Sequence, residues 1–166
     1  DKNEIVDLEF FFNLLRDHTG DTSEKPHYSK EHTICGLETE VSQVFQLRDW
    51  LPDRMRSVRW TAMATPCTSV YIPWYWGVKT QRRKDDSLWK LFRELSLQTE
   101  NDYGARSVIV GRRFGKLQTK IFTRVSKIEK SAAQKTKVKR KRMLNRFCIN
   151  QRIVAEKIAV SLKGSW

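Results

Sequence analysis

Ser57-Val-Arg-Trp60-Thr-Ala-Met-Ala64-Thr-Pro66-Cys-Thr-Ser-Val-Tyr71-Ile-Pro73-Trp-Tyr-Trp76 is the stretch from which the fold follows. Val58, Trp60, Ala62 and Ala64 fall on one side of an extended chain, with Arg59, Thr61 and Met63 on the other. That period of two is a strand with one apolar face. Pro66 interrupts it, and Thr68 to Trp76 resumes in extended form. Pro73 has no amide hydrogen to donate to a ladder, so this last strand belongs at an edge or ends soon after. Upstream, Val41, Gln43, Phe45 and Leu47 share a face while Ser42, Gln46 and Arg48 lie mainly opposite, giving a strand near 39–48, with 32–36 as a candidate opening of the same extended segment. Leu51-Pro52-Asp53 then turns the chain. Three successive strands joined by short turns predict an antiparallel sheet.

Helical periods flank the sheet. Leu8, Phe11, Phe12 and Leu15 form an apolar stripe, with Glu4, Asp7 and Glu9 at its start and Arg16, His18 and Gly20 at its end. Those charges suit the helix dipole, and glycine suits the stop. Residues 20–31 are polar and read as a surface loop. Beyond the sheet, Asp85, Asp86 or Ser87 can cap a helix bearing Leu88, Leu91, Phe92 and Leu95. Gly104 allows a break. Val110, Phe114, Leu117, Ile121, Val125 and Ile128 then trace one face of a long helix, and Asn150 can cap a final one burying Ile153, Val154, Ile158 and Leu162. Helix, sheet and helices in that order predict an α+β fold, an antiparallel sheet with C-terminal helices.

The composition, 39% apolar with six Trp and eight Phe, is that of a folding chain. No run approaches the ~20 apolar residues of a membrane span. Of the net charge of +13, residues 1–103 carry −3 (14 basic, 17 acidic) and residues 104–166 carry +16 (18 basic, 2 acidic). The basic third attracts nucleic acid or anionic lipid non-specifically. Its densest part is Lys135, Lys137, Lys139, Arg140, Lys141, Arg142 and Arg146. That block reads first as a solvated helix face or linker, with a nucleic-acid patch at 135–146 as the alternative.

Cys35, Cys67 and Cys148 are odd in number and scattered, and read as reduced thiols of an intracellular, cytoplasmic chain. Asp1-Lys2-Asn3-Glu4 is no signal peptide and has no initiator Met. The stretch therefore looks like the interior of a longer product, from which an upstream targeting segment could have been lost.

His27, His32 and Cys35 are close in sequence, and Cys67 can approach if the strands pair. Zinc ligands usually keep tighter spacing, so ordinary histidines and buried cysteines are expected, with no metal and no cofactor. Cys35 with His32 as its base is disfavoured, because residues three apart on a strand face opposite sides. Gly111-Arg-Arg-Phe-Gly115-Lys116 has three residues between its glycines and Leu117 after its lysine, so it is not a phosphate-binding loop. Trp74-Tyr75-Trp76 with Tyr71 reads as packing of a sheet on helices, with stacking on bases or substrate as the alternative.

Two segments carry a resemblance. His32-Thr-Ile-Cys35-Gly is followed by Thr39-Glu-Val-Ser-Gln-Val-Phe-Gln-Leu-Arg-Asp-Trp-Leu-Pro52. The second runs from Ser57-Val-Arg-Trp60 through Pro66-Cys67-Thr68-Ser69-Val70 to Pro73 and Gly77. Together with Leu14-Leu-Arg-Asp-His18 before them and Asp86-Ser87-Leu88-Trp89-Lys-Leu-Phe-Arg93 after, this is similar to the C-terminal half of the cysteine-type dipeptidase and secernin family of N-terminal-nucleophile hydrolases. The likeness covers about residues 5–130 and is looser to Leu162. It implies part of a four-layer αββα fold and cleavage of amide bonds in small peptides.

In that family the first residue of the mature chain attacks, and its own α-amino group, with a pKa near 8, serves as base. Residue 1 here is Asp and all three cysteines are internal, so no catalytic residue is carried over. The active site is expected to be completed by an upstream half of the same protein. Thr68 and Ser69 are the candidate substrate contacts. The expected organisation is 1–130 as the C-terminal part of the hydrolase domain and 131–166 as a basic helical extension. Such a piece alone leaves a sheet face or edge uncovered and self-associates, so a homo-oligomer is a possible partner state. A non-catalytic, secernin-like binding or scaffold protein is the rival reading, and a basic nucleic-acid-binding protein is another.

Overall fold

The computed structural model describes residues 7–19, 26–28, 33–78 and 87–166. Among these, the chain forms α1 (Leu8–Leu14), a 3-10 turn (Pro26–Tyr28), β1 (Val41–Leu47), β2 (Ser57–Met63), a second 3-10 turn (Pro66–Thr68) and β3 (Ile72–Tyr75). Three helices follow, α2 (Ser87–Glu100), α3 (Tyr103–Ala133) and α4 (Lys137–Lys163). The architecture is α+β, a small antiparallel sheet with C-terminal helices.

α1 starts where Asp7 accepts a hydrogen bond from the Phe10 amide at 2.9 Å, relieving one of the orphan donors of a helix start. Its buried stripe is narrower than the sequence pattern predicts. Phe12 is fully buried and Leu8 and Leu15 partly so, while Phe11 is exposed. Glu4 and Gly20, expected at its two ends, lie outside the described residues.

The strands run in the order β1-β2-β3, both pairs antiparallel, with Val44 opposite Trp60 and Trp60 opposite Pro73. Pro73 thus sits on an edge strand, where a missing donor costs no central ladder bond. Val58, Trp60 and Ala62 share the face that meets α1 and α3. Phe12 stacks on Tyr71 with centroids 4.0 Å apart, meets Trp60 edge-on at 5.5 Å, and lies 5.7 Å from Phe122 of α3. The other face of β1 is open. Phe45 and Leu47 there are 64% and 73% exposed, and Val41 and the nearby Trp76 are exposed as well.

The chain leaves β2 through Ala64, whose φ of 56° lies in the left-handed region. The extended run expected from Thr68 begins only at Ile72, because Pro66 opens a 3-10 turn instead. This departure matters, since the turn carries Cys67. Tyr71, between turn and strand, takes its backbone partner from a side chain. Gln118 of α3 accepts from the Tyr71 amide at 2.9 Å and donates to the Tyr71 carbonyl at 3.2 Å. Gln118→Leu keeps the volume and removes both bonds in a buried place. It is expected to lower the unfolding free energy by about 2–4 kcal/mol in urea titrations; a cost near zero would mean water replaces the amide.

In α2, Phe92 and Leu95 are buried and Leu88 and Leu91 partly so, as the pattern predicts. The capping positions Asp85 and Asp86 lie outside the described residues. The break falls at Asn101 and Asp102 rather than at Gly104, and Asp102 caps α3 by accepting from the Ala105 amide at 3.4 Å. Residues 111–116 lie inside α3.

The last helix differs from expectation. It starts at Lys137, so Asn150 is interior, and it buries Leu144, Phe147, Cys148, Gln151, Ala155, Ala159 and Leu162; of the four residues expected inside, Leu162 is buried, Val154 and Ile158 are partly so, and Ile153 is exposed. Lysine and arginine are good helix formers, so the basic block continues the helix rather than breaking it. Between Phe147 and Leu162 the fully buried positions are small or polar, and they give little hydrophobic signal. Arg140 closes the C-terminus of α3, donating to the carbonyls of Ala132 at 3.0 Å, Ala133 at 3.2 Å and Lys135 at 2.9 Å. α3 runs across position 130/131, and one core includes residues from both sides of it.

Candidate functional site: a buried histidine–cysteine cluster

Four segments that are separate in sequence converge beside the sheet. The residues after α1 are clamped to the second 3-10 turn by Arg16, which donates to the carbonyls of Pro66 at 3.0 Å and Ser69 at 3.3 Å. Its guanidinium also lies 5.0 Å over the Tyr71 ring. One residue on, the Asp17 carbonyl accepts from the Cys35 amide at 3.2 Å, and Thr33 Oγ1 donates to the Cys35 carbonyl at 2.8 Å. These bonds bring together His18, His27 of the first 3-10 turn, Cys35 ahead of β1, and Cys67 of the second turn.

One nitrogen or sulfur from each of the four lies within 4.8 Å of all the others. His18 Nε2 is 3.0 Å from His27 Nε2, and His27 Nε2 is 3.4 Å from Cys67 Sγ and 3.6 Å from Cys35 Sγ. The far side of each imidazole is occupied. His27 Nδ1 pairs with Glu100 Oε1 at 2.6 Å, from the end of α2, and the Tyr103 hydroxyl, from the start of α3, lies 3.5 Å from His18 Nδ1. Tyr103 also packs edge-on to both rings. The His27 and Glu100 side chains are almost wholly buried.

Burial works against a charged His27, but hydrogen bonds to Cys35 and Glu100 and the nearby negative charge outweigh it, raising its pKa to about 9. The Cys35 thiol is pulled well below its ordinary value, first by the hydrogen bond from Cys67 and then by His18 and His27, against the opposing effect of burial. Cys67 moves the other way, raised by its bond to Cys35 and by burial. The two sulfurs titrate as a pair, and of the two Cys35 is the one favoured as thiolate, beside His27. Cys35 is 0% exposed, so an electrophile in solution cannot reach that thiolate. The chemistry open to it is ligation.

Of the residues singled out in sequence, His27, Cys35 and Cys67 come together. His32 lies outside the described residues. Thr68 and Ser69 are buried next to the cluster. Thr68 Oγ1 bonds Ser96 Oγ at 2.6 Å, while Ser69 Oγ has no protein partner. Lys135, in the turn before α4, and Lys137, Lys139, Arg142 and Arg146 on its first half are exposed, and Lys137 pairs with Asp53 at 2.9 Å. His18, Glu100 and Tyr103 had not been connected to the site. Two of the chain's three histidines and two of its three cysteines meet here, and that scarcity was the available signal.

A small α+β unit with a closed His–Cys centre is the class that fold and geometry define. Part of the chain is similar to a known protein. It is 33% identical over 79 residues to a probable dipeptidase of Salmonella dublin, a match covering 45% of this chain and 18% of that protein. The chain thus aligns with less than a fifth of the relative's length. No family model matches the chain, and no solved structure matches it. Among the described residues, no helix is long and apolar enough to cross a membrane.

Proposed function

We propose that this chain is the C-terminal portion of a dipeptidase-like amide hydrolase of the cysteine-type, N-terminal-nucleophile kind. The observation that carries the reading is the similarity to the probable dipeptidase. In this reading the attacking thiol and its α-amino base come from polypeptide ahead of Asp1, and a small peptide is the substrate. The open face of β1, with Phe45 and Leu47 exposed, supports it as the place where a second sheet of an αββα sandwich packs. Exposed apolar surface of this kind is ordinarily covered by a partner. Thr68 and Ser69 are its substrate-contact positions, and the unpartnered Ser69 hydroxyl supports the second of them.

The test is dipeptide hydrolysis by the complete gene product, followed by amine release. Activity is expected to be abolished by alkylating an N-terminal cysteine, and the 166-residue chain alone is expected to be inactive. Appreciable cleavage by that chain, purified as a monomer, overturns the proposal.

A further inference from the structure

We propose that His18, His27, Cys35 and Cys67 bind one Zn²⁺ ion in a closed, tetrahedral, structural site. Zinc takes nitrogen at about 2.0–2.1 Å and sulfur at about 2.3 Å, so the edges of a tetrahedral Cys₂His₂ centre are about 3.3 Å for N···N and about 3.6 Å for N···S. The cluster has 3.0 Å between the two Nε2 atoms, and 3.4 and 3.6 Å from His27 Nε2 to the two sulfurs. The three edges from His27 Nε2 are therefore already close to those of the coordination figure, the other three are no longer than 4.8 Å, and modest movement of the side chains seats the ion.

The surroundings point the same way. Metal-bound histidines almost always give their second nitrogen to a carboxylate, carbonyl or other acceptor, which fixes the tautomer and aims the free lone pair at the ion. Glu100 does this for His27, and Tyr103 stands at the same position for His18. With each Nδ1 turned to its partner, each Nε2 is the ring atom that faces the sulfurs, and an ion seated among them would displace the hydrogen now lying between the two Nε2 atoms. Two thiolates neutralise Zn²⁺, and the Arg16 guanidinium adds a positive charge that both sulfurs feel. Mixed thiolate and imidazole donors suit zinc, and exclude the hard, oxygen-seeking Mg²⁺ and Ca²⁺.

All four positions are filled by protein, and none is left for water or substrate, so the ion's role is to hold structure. It ties the end of α1, both 3-10 turns and the approach to β1, segments with little regular hydrogen bonding of their own. The proposal does not rest on the dipeptidase reading, because its test counts metal and not cleavage.

The 166-residue chain, prepared under reducing conditions with zinc present, is expected to carry one zinc per chain by elemental analysis. Replacing zinc with Co²⁺ should give the strong visible bands of tetrahedral cobalt and a sulfur-to-cobalt charge-transfer band. Cys35→Ser and Cys67→Ser should each lose the charge-transfer intensity and the stoichiometric metal, whereas Cys148→Ser, whose sulfur is buried on α4, keeps both. Glu100→Gln, a positioning change, should weaken zinc binding by about 10-fold or more. Should the cysteine variants fail to fold, the wild-type chain decides the matter. Chelation should lower its Tm, and zinc should restore it. A folded wild-type chain without stoichiometric zinc or cobalt–thiolate bands overturns the site, and so does Cys148→Ser abolishing bands that Cys35→Ser retains.

Discussion

Arg48→Ala is expected to lower the unfolding free energy by about 3–5 kcal/mol, because it leaves a carboxylate without its counter-charge in a largely dry place. Arg48 follows β1 and reaches α3, with Nη1 2.9 Å from Glu129 Oε2 and Nη2 2.7 Å from Oε1. Nη2 also donates to the Met55 carbonyl at 2.9 Å, and the Tyr75 hydroxyl donates to Glu129 Oε1 at 2.7 Å. One fork-shaped group therefore joins the end of β1, the turn before β2 and the long helix. The side chains are only 10% and 14% exposed, so water screens the pair weakly. Arg48→Lys keeps the charge but loses the two-pronged geometry, and should fall between alanine and wild type. Changing both residues to Met removes the unpaired charge altogether and should recover most of the alanine loss. Urea unfolding at neutral pH ranks the variants. If Arg48→Ala costs under about 1 kcal/mol, the pair behaves as a surface ion pair and the account fails.

Where side chains repeat at the period of their own element, the sequence was readable. The alternation about Trp60 marks β2, Pro73 marks the edge position of β3, and the steps from Val110 to Ile128 mark the face of α3. Reading failed where the buried side is not the greasy side. In α4 the core-facing residues include Gln151, Ala155 and Ala159, while Ile153 points outward. In β1 the apolar set Val41, Phe45 and Leu47 lies on the open face. A sheet face built to meet another layer looks the same in sequence as one built for its own helices.

The cluster was partly legible: His27 and Cys35 are close in sequence and Cys67 is within reach, whereas His18 reads only as part of a helix end and His32 stands in its place. The four residues sit on four segments, and no local spacing brings all of them into one frame. What joins them is the Arg16 guanidinium donating to the carbonyls of Pro66 and Ser69 and the Asp17 carbonyl accepting from the Cys35 amide, together with the 3-10 turn that replaces the expected strand at Pro66. Neither can be read from period or propensity. Glu100 and Tyr103 reach the imidazoles only because α2 and α3 break at Asn101 and Asp102 rather than at Gly104. A shift of those two residues in the break changes which side chains face the site.

Phe12→Ala is expected to cost about 3–5 kcal/mol in stability, the range for deleting a fully buried aromatic ring. Phe12 is the buried residue of α1, and it touches Tyr71, Trp60 and Phe122 at once. A helix of seven residues has little stability of its own, so α1 stays in place through this side chain and its partly buried neighbours Leu8 and Leu15. The loss should therefore reach beyond the cavity. Freeing α1 frees Arg16 from Pro66 and Ser69, and His18 moves with it. In cobalt titrations the variant should bind more weakly than wild type even where it remains folded. Phe12→Leu fills most of the space and keeps α1 docked, so it should be milder in stability and close to wild type in metal affinity. If Phe12→Ala matched wild type in both measurements, the helix would not be what brings His18 to the cluster, and Arg16 with Asp17 would be enough to hold it there.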